Sequence, residues 1–100
     1  MIFLGTYSFP TNKIEEWKKC ANDIMGNPLP SCIKKWQTFS CTNCEGYKGY
    51  NLVFTEKGQA EEGLAEINRL MFPFLQIEGS SWNIEPLLGM TDTMKVLEKK

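Results

Sequence analysis

The N-terminal alternation restricts this chain more than any other feature. Residues 2 to 9 carry two apolar sets, Ile2 and Leu4 on one face and Phe3, Tyr7 and Phe9 on the other. A strand has reason to be apolar on both faces only when both are covered. Tyr47 to Thr55 repeats the pattern, with Tyr50, Leu52 and Phe54 on one face and Val53 on the other. Two such strands belong in the middle of a sheet. With 100 residues, 42% of them hydrophobic, the chain makes one domain over residues 1–100 with a single modest core.

The remaining segments supply the partners. After Pro10, Thr11 and Asn12 offer cap chemistry to a helix whose Ile14, Trp17, Ala21 and Ile24 fall at helical spacing. Gly26-Asn27-Pro28 ends it. Ser31 to Ser40 reads as a strand interrupted by Lys34, Lys35 and Gln37, which suits a sheet edge, and Cys41 to Gly46 reads as a hairpin loop. A second helix begins near Gly58, with Ala60, Leu64, Ile67 and Met71 on one stripe, and is expected to stop at Pro73. A long connection from Gln76 to Ser81 leads to a strand over Trp82 to Leu88 with a proline inside it, again an edge signature. Thr91 is placed to cap a short terminal helix, residues 91–98.

The order β-α-β-β-α-β with a terminal helix is that of an α+β, ferredoxin-like split βαβ sandwich. Right-handed crossovers put the first and third strands in the centre. Two helices cover one face of such a sheet. The other face would then expose either Ile2, Leu4 and Val53 or Phe3, Tyr7, Tyr50 and Phe54, a patch unsuited to a monomer. Pairing sheet to sheet as a homodimer covers it, and the alternative is the terminal helix folded back over it.

The strand Ile2-Phe-Leu-Gly-Thr-Tyr7, the segment Gly49-Tyr-Asn-Leu-Val-Phe54 leading into an acidic amphipathic helix, and Trp82-Asn-Ile-Glu-Pro-Leu-Leu88 before a short capped tail together resemble the dimeric α/β-barrel superfamily. The likeness is to its short uncharacterised bacterial and archaeal domains and covers almost the whole chain. It implies two ferredoxin-like units closing a barrel, with activities ranging from none known to cofactor-independent oxygenases, isomerases and haem-degrading enzymes.

Composition narrows the chemistry. The chain has no histidine, which removes Ser-His-Asp and Cys-His machinery, a histidine base, imidazole metal sites and the haem-ligating histidine of the haem-dependent relatives. A net charge of −1 provides no field for nucleic acid or an anionic membrane, and Lys95, Lys99 and Lys100 read as a solvated tail. No signal peptide or membrane span is visible, so a cytoplasmic location is expected, with Cys20, Cys32, Cys41 and Cys44 as thiols or metal ligands before disulfides.

Cys41-Thr-Asn-Cys44 is the sharpest local motif. Two thiolates at this spacing can hold one zinc or cycle with a disulfide. Cys32 lies at the opposite end of the same strand, roughly 30 Å away at ~3.3 Å per residue, so one chain cannot close a four-cysteine site. Glu45, or the same motif across a dimer axis, would have to complete it. The other reading is a polar loop that contains cysteines.

The aromatic set, Tyr7, Trp17, Trp36, Tyr47, Tyr50 and Trp82, is the second signal. Between sheet and helices it would wall a pocket with a few polar handles, or it is simply core and dimer contact. Tyr7, Trp36, Tyr50 and Trp82 are the pocket candidates, with Glu85 the one carboxylate whose neighbours could desolvate it. No catalytic set emerges. A small-molecule-binding or accessory module is therefore expected, with no required cofactor. The alternatives are a cofactor-independent enzyme acting on an apolar or aromatic substrate through Tyr7, Tyr50 and Trp82, and a zinc or redox module at Cys41 and Cys44.

Overall fold

A computed structural model describes residues 1–44 and 46–98. The chain is α+β, with a four-stranded antiparallel sheet and three α-helices. Its elements are β1 (Ile2–Phe9), a 3-10 turn (Thr11–Lys13), α1 (Ile14–Met25), β2 (Ile33–Asn43), β3 (Gly46–Thr55), α2 (Ala60–Leu75), β4 (Ser81–Leu87) and α3 (Met90–Glu98). The strand order is β2-β3-β1-β4, so the two strands that are apolar on both faces lie in the middle and the lysine- and proline-bearing strands lie at the edges.

Register decides what each face carries. β1 and β3 pair with Ile2 opposite Phe54, Leu4 opposite Leu52 and Thr6 opposite Tyr50. Both groupings offered for the open face are therefore wrong, because each mixed residues from opposite sides. Phe3, Tyr7, Phe9 and Val53 point together toward the helices and are buried, while Ile2, Leu4, Tyr50, Leu52 and Phe54 share the other side.

Several boundaries also differ from expectation. β2 runs to Asn43, so Cys41 lies in the strand opposite Lys48 and the hairpin is tight, with Asn43 Oδ1 accepting from the Gly46 N–H at 3.1 Å. An irregularity between Ile33 and Lys35 inserts Lys34. This bulge lets Ile33 and Trp36 both face inward, which strict alternation forbids. Thr11 and Asn12 form the 3-10 turn, and neither it nor α1 has a side-chain cap. Pro73 lies inside the last turn of α2, which continues to Leu75. The connection after it covers residues 76–80, within one residue of expectation, with Ile77 buried and Gly79 turning at φ 85°. α3 does not fold back: it buries none of its residues, and Met90, Met94, Val96 and Leu97 are exposed.

The two long helices meet the sheet unequally. α2 presses close at Gly63, where a Cβ would fall against Thr55 of β3, and Ile67, Met71 and Phe74 are buried beneath it. α1 has no buried residue at all, although Ile14, Trp17, Ala21 and Ile24 form its inner stripe.

At Gly5 the tip of the Trp82 indole comes so close that a Cβ would collide with it, 2.9 Å from Cζ3 and closer still to Cη2. Gly5→Ala should therefore displace the ring and cost about 1–3 kcal/mol, the usual penalty of overpacking. Thermal denaturation followed by circular dichroism checks this; an unchanged midpoint would show that the ring has room to move.

Candidate functional site

The unequal helix packing leaves a cavity of about 690 Å³ beneath α1. Its cause is local sequence. Between Trp36 and Tyr47 the inward residues of β2 and β3 are Thr38, Ser40, Gly49 and Asn51, so the floor there carries no large apolar side chain to fill the space beneath the helix. Trp17, Ala21 and Ile24 of α1, Leu70, Met71 and Phe74 of α2, and Phe9, Trp36 and Tyr47 of the sheet complete an apolar, aromatic wall. The volume is within the range of small-molecule sites, ~300–1,000 Å³.

Asn51 organises the floor. Its Oδ1 accepts from Trp36 Nε1 at 3.0 Å and from Thr38 Oγ1 at 2.8 Å, and its Nδ2 donates to the Gly5 carbonyl at 3.2 Å. The buried amide thus ties β2 to β1 through β3 and fixes the plane of the Trp36 ring. Phe9 stacks between Trp17 and Tyr47, with ring centroids 5.5 and 5.2 Å away. These three rings form one rigid end of the wall.

Tyr7 lines the cavity, but its hydroxyl is engaged, donating to the Phe74 carbonyl at 2.9 Å. That carbonyl lies in the last turn of α2, where helical partners run out, so Tyr7 docks the helix end onto β1. Burial pushes the phenol up to about 12. It is a protonated anchor and not a base at neutral pH.

The five pocket candidates are thus divided among three places. Tyr7 and Trp36 line the cavity. Trp82 faces the same side of the sheet but lies over Gly5, its Nε1 donating to Asn68 Oδ1 at 3.3 Å. Tyr50 and Glu85 are on the opposite face of the sheet. Glu85 is exposed and accepts from Asn83 Nδ2 at 3.3 Å. Asn51 escaped the sequence reading, although an amide in the middle of a two-faced apolar strand was the available signal, as was the run of small inward residues around it.

All four cysteines are free thiols. Cys41 and Cys44 are exposed at the hairpin, Cys32 is buried at the other end of β2, and Cys20 lies on α1, where burial and then Asp23 push its pKa up. Among the described residues no three His, Cys, Asp or Glu side chains gather as a metal site. Glu45, the suggested third ligand, and Lys99 and Lys100 of the tail lie outside the described residues. Among the described residues no carboxylate or thiol lines the cavity, and its ionisable lining groups are Tyr7, Tyr47 and Lys48. The Lys48 ammonium sits on the other side of the sheet, 5.4 Å over the Tyr50 ring. The arrangement can enclose and orient an uncharged molecule, and it offers no acid and base pair.

Among the described residues no helix is long and apolar enough to cross a membrane. Neither a family model nor a curated protein matches the chain. Among solved structures it is similar to a DUF3240 family protein from Shewanella baltica OS155, at 10% identity, a TM-score of 0.37, and coverage of 88% of this chain and 91% of that one.

Two predictions follow from this geometry. Tyr7→Phe removes one buried hydrogen bond and should cost about 1–2 kcal/mol at neutral pH. A phenol raised from 10.0 to about 12 stabilises the fold fully below pH 10 and loses that contribution as pH climbs to 12, because the unfolded state releases the proton first. Alkaline titration of stability should show this fall in the native protein and a smaller one in Tyr7→Phe. Asn51→Leu strands the Trp36 and Thr38 donors and should cost about 1–3 kcal/mol, with a shifted Trp emission maximum; unchanged stability and emission would contradict the network.

Proposed function

We propose that this chain is a ferredoxin-like module of the dimeric α/β-barrel kind that binds a small, uncharged, largely apolar molecule beneath α1 and pairs with a second copy through its open sheet face. The observation that carries the binding reading is the cavity itself. An amphipathic helix whose inner stripe is only partly buried over a floor of Thr38, Ser40, Gly49 and Asn51 leaves apolar wall exposed to the space between. A ligand there would complete the burial that the chain's own side chains do not reach. The role asks for no cofactor, and two exposed free thiols suit a reducing cytoplasm.

The pairing reading rests on the opposite face. Ile2, Leu4, Leu52, Phe54 and Leu87 are only partly covered there, Phe39 is 55% exposed and Tyr50 is 36% exposed. Lys35 and Lys48 lay their stems over Phe54 and Tyr50, with ammonium groups 5.7 and 5.4 Å from the ring centroids. Such snorkelling covers single rings but not the rows of aliphatic residues between them.

Two measurements separate the two halves. Titration with neutral 1-aminonaphthalene should quench Trp17 and Trp36 saturably at one site per chain, and Ala21→Phe, which fills the space, should weaken binding about tenfold or more. Binding that never saturates, or that ignores Ala21→Phe while the fold is retained, removes the cavity from consideration. Sedimentation should give twice the chain mass at micromolar concentration and a single chain for Leu4→Glu; a monomeric native protein removes the pairing.

A further inference from the structure

The sheet face turned away from the helices changes character along its strands. On β1 it runs from Ile2 and Leu4 to Thr6 and Ser8, and the neighbouring strands change in step. The row Phe39, Tyr50, Thr6 and Asn83 is the border, aromatic on β2 and β3 and polar on β1 and β4. In the next row Lys48, Ser8 and Ser81 stand side by side on β3, β1 and β4. Beyond them come Gly46, Pro10 and Gly79, packed so closely that a Cβ on Gly79 would fall 2.7 Å from Pro10 Cγ. Short side chains in these last rows leave a cleft of about 420 Å³, with Thr6, Ser8, Lys48, Ser81 and Asn83 along it and the glycines and Pro10 at its end.

The donors in this cleft exceed what the protein itself satisfies. Lys48 is its one cation, and among the described residues no carboxylate lines it. The partly buried ammonium joins none of the ion pairs formed by the described residues, and its contact is the Tyr50 ring, 5.4 Å away at the centroid. A ring face replaces part of the lost hydration of a cation but accepts none of its three N–H bonds in the way an oxygen does. Ser8 and Ser81 share a hydrogen bond between their hydroxyls. Whichever of them donates, the other keeps its proton for an outside acceptor. The Thr6 hydroxyl makes no hydrogen bond among the described residues. Side chains directly opposite on neighbouring strands stand ~4.5–5.5 Å apart at Cβ, so these donors can converge on one group.

We propose that this cleft binds the oxyanion group of a small organic acid or phosphate ester, held by the Lys48 ammonium and by the hydroxyls of Thr6 and the Ser8–Ser81 pair. A neutral polyol would meet the hydroxyls and leave the ammonium without a counter-charge. An oxyanion meets both, through charge-assisted hydrogen bonds, which are the stronger kind. The cleft is larger than a single phosphate or carboxylate and falls within the ~300–1,000 Å³ of small-molecule sites, which leaves room for the rest of the molecule. The site is independent of the guest proposed beneath α1, because its donors face the other side of the sheet. The aliphatic rows behind the pairing reading take no part in it.

Anion titration tests the site. Sodium phosphate and sodium acetate are added separately to the isotope-labelled full chain at ionic strength held constant with sodium chloride, which removes general screening as a cause. The amide shifts of Thr6, Ser8, Lys48 and Ser81 are followed by NMR. At least one anion should give saturable shifts centred on these residues, with a Kd in the millimolar range. Saturation by phosphate alone assigns the head group to phosphate esters, and saturation by acetate alone assigns it to carboxylic acids; either supports the site. Lys48→Gln should weaken the binding about tenfold or more, and Thr6→Val, which keeps the side-chain shape, about threefold or more. Lys35→Gln removes a lysine that also lies over a ring, at the apolar end of the same face, and should leave the binding unchanged. Shifts that do not saturate with either anion, native-like binding by Lys48→Gln, or an equal loss in Lys35→Gln would overturn the proposal. Circular dichroism reports the fold of each variant, and Ser81→Ala on the edge strand takes the place of any that fails to fold.

Discussion

Everything in this molecule depends on the register between β1 and β3. With Ile2 opposite Phe54 and Gly5 opposite Asn51, each residue set has one destination, and a slip of one position would turn every side chain of one strand to the other face. The register is held at its centre by Asn51, whose amide reaches Gly5 on one side and Trp36 and Thr38 on the other. Gly5 also leaves the space that the tip of the Trp82 ring occupies. One short stretch of backbone therefore aligns three strands and positions one large ring.

The helical layer responds to the residues that the register turns inward. Under α2 these are bulky enough to make contact, and Gly63 lets the helix come down onto Thr55, so Ile67 and Val53 are fully enclosed. Under α1 they are small, and the helix stands off with its apolar stripe half covered. Tyr7 marks the boundary between the two regimes. Its ring lies among the buried core while its hydroxyl fastens the end of α2, so the helix beside the cavity is tied down and the helix above it is not. A layer that is anchored on one side and loose on the other can admit a guest without unfolding.

Much of this was legible in the sequence, and the parts that were not have identifiable causes. The two-faced strands, the lysine-bearing edge and the helical stripes follow from side-chain periodicity, which acts within one element. The grouping of faces between β1 and β3 failed because register belongs to a pair of strands, and no single-strand pattern encodes it. Trp36 pointed inward because of the bulge at Lys34, an insertion that alternation cannot see. Pro73 was tolerated because it stands in the last turn of α2, where its missing N–H frees a single carbonyl, that of Arg69, and only two helical residues follow. The candidate site was half legible for the same reason. Aromatic residues announce a wall, but a cavity is made by what is small, and Ser40, Gly49 and Thr38 draw no attention one at a time.

The two proposed roles occupy opposite sides of the same two strands. Asn51 faces the cavity, while its neighbours Tyr50 and Leu52 face outward. A molecule beneath α1 would rest on β2 and β3, and a second copy would press on the other side of those strands. The hairpin ends at Cys41 and Cys44, exposed and outside both proposed surfaces' apolar parts.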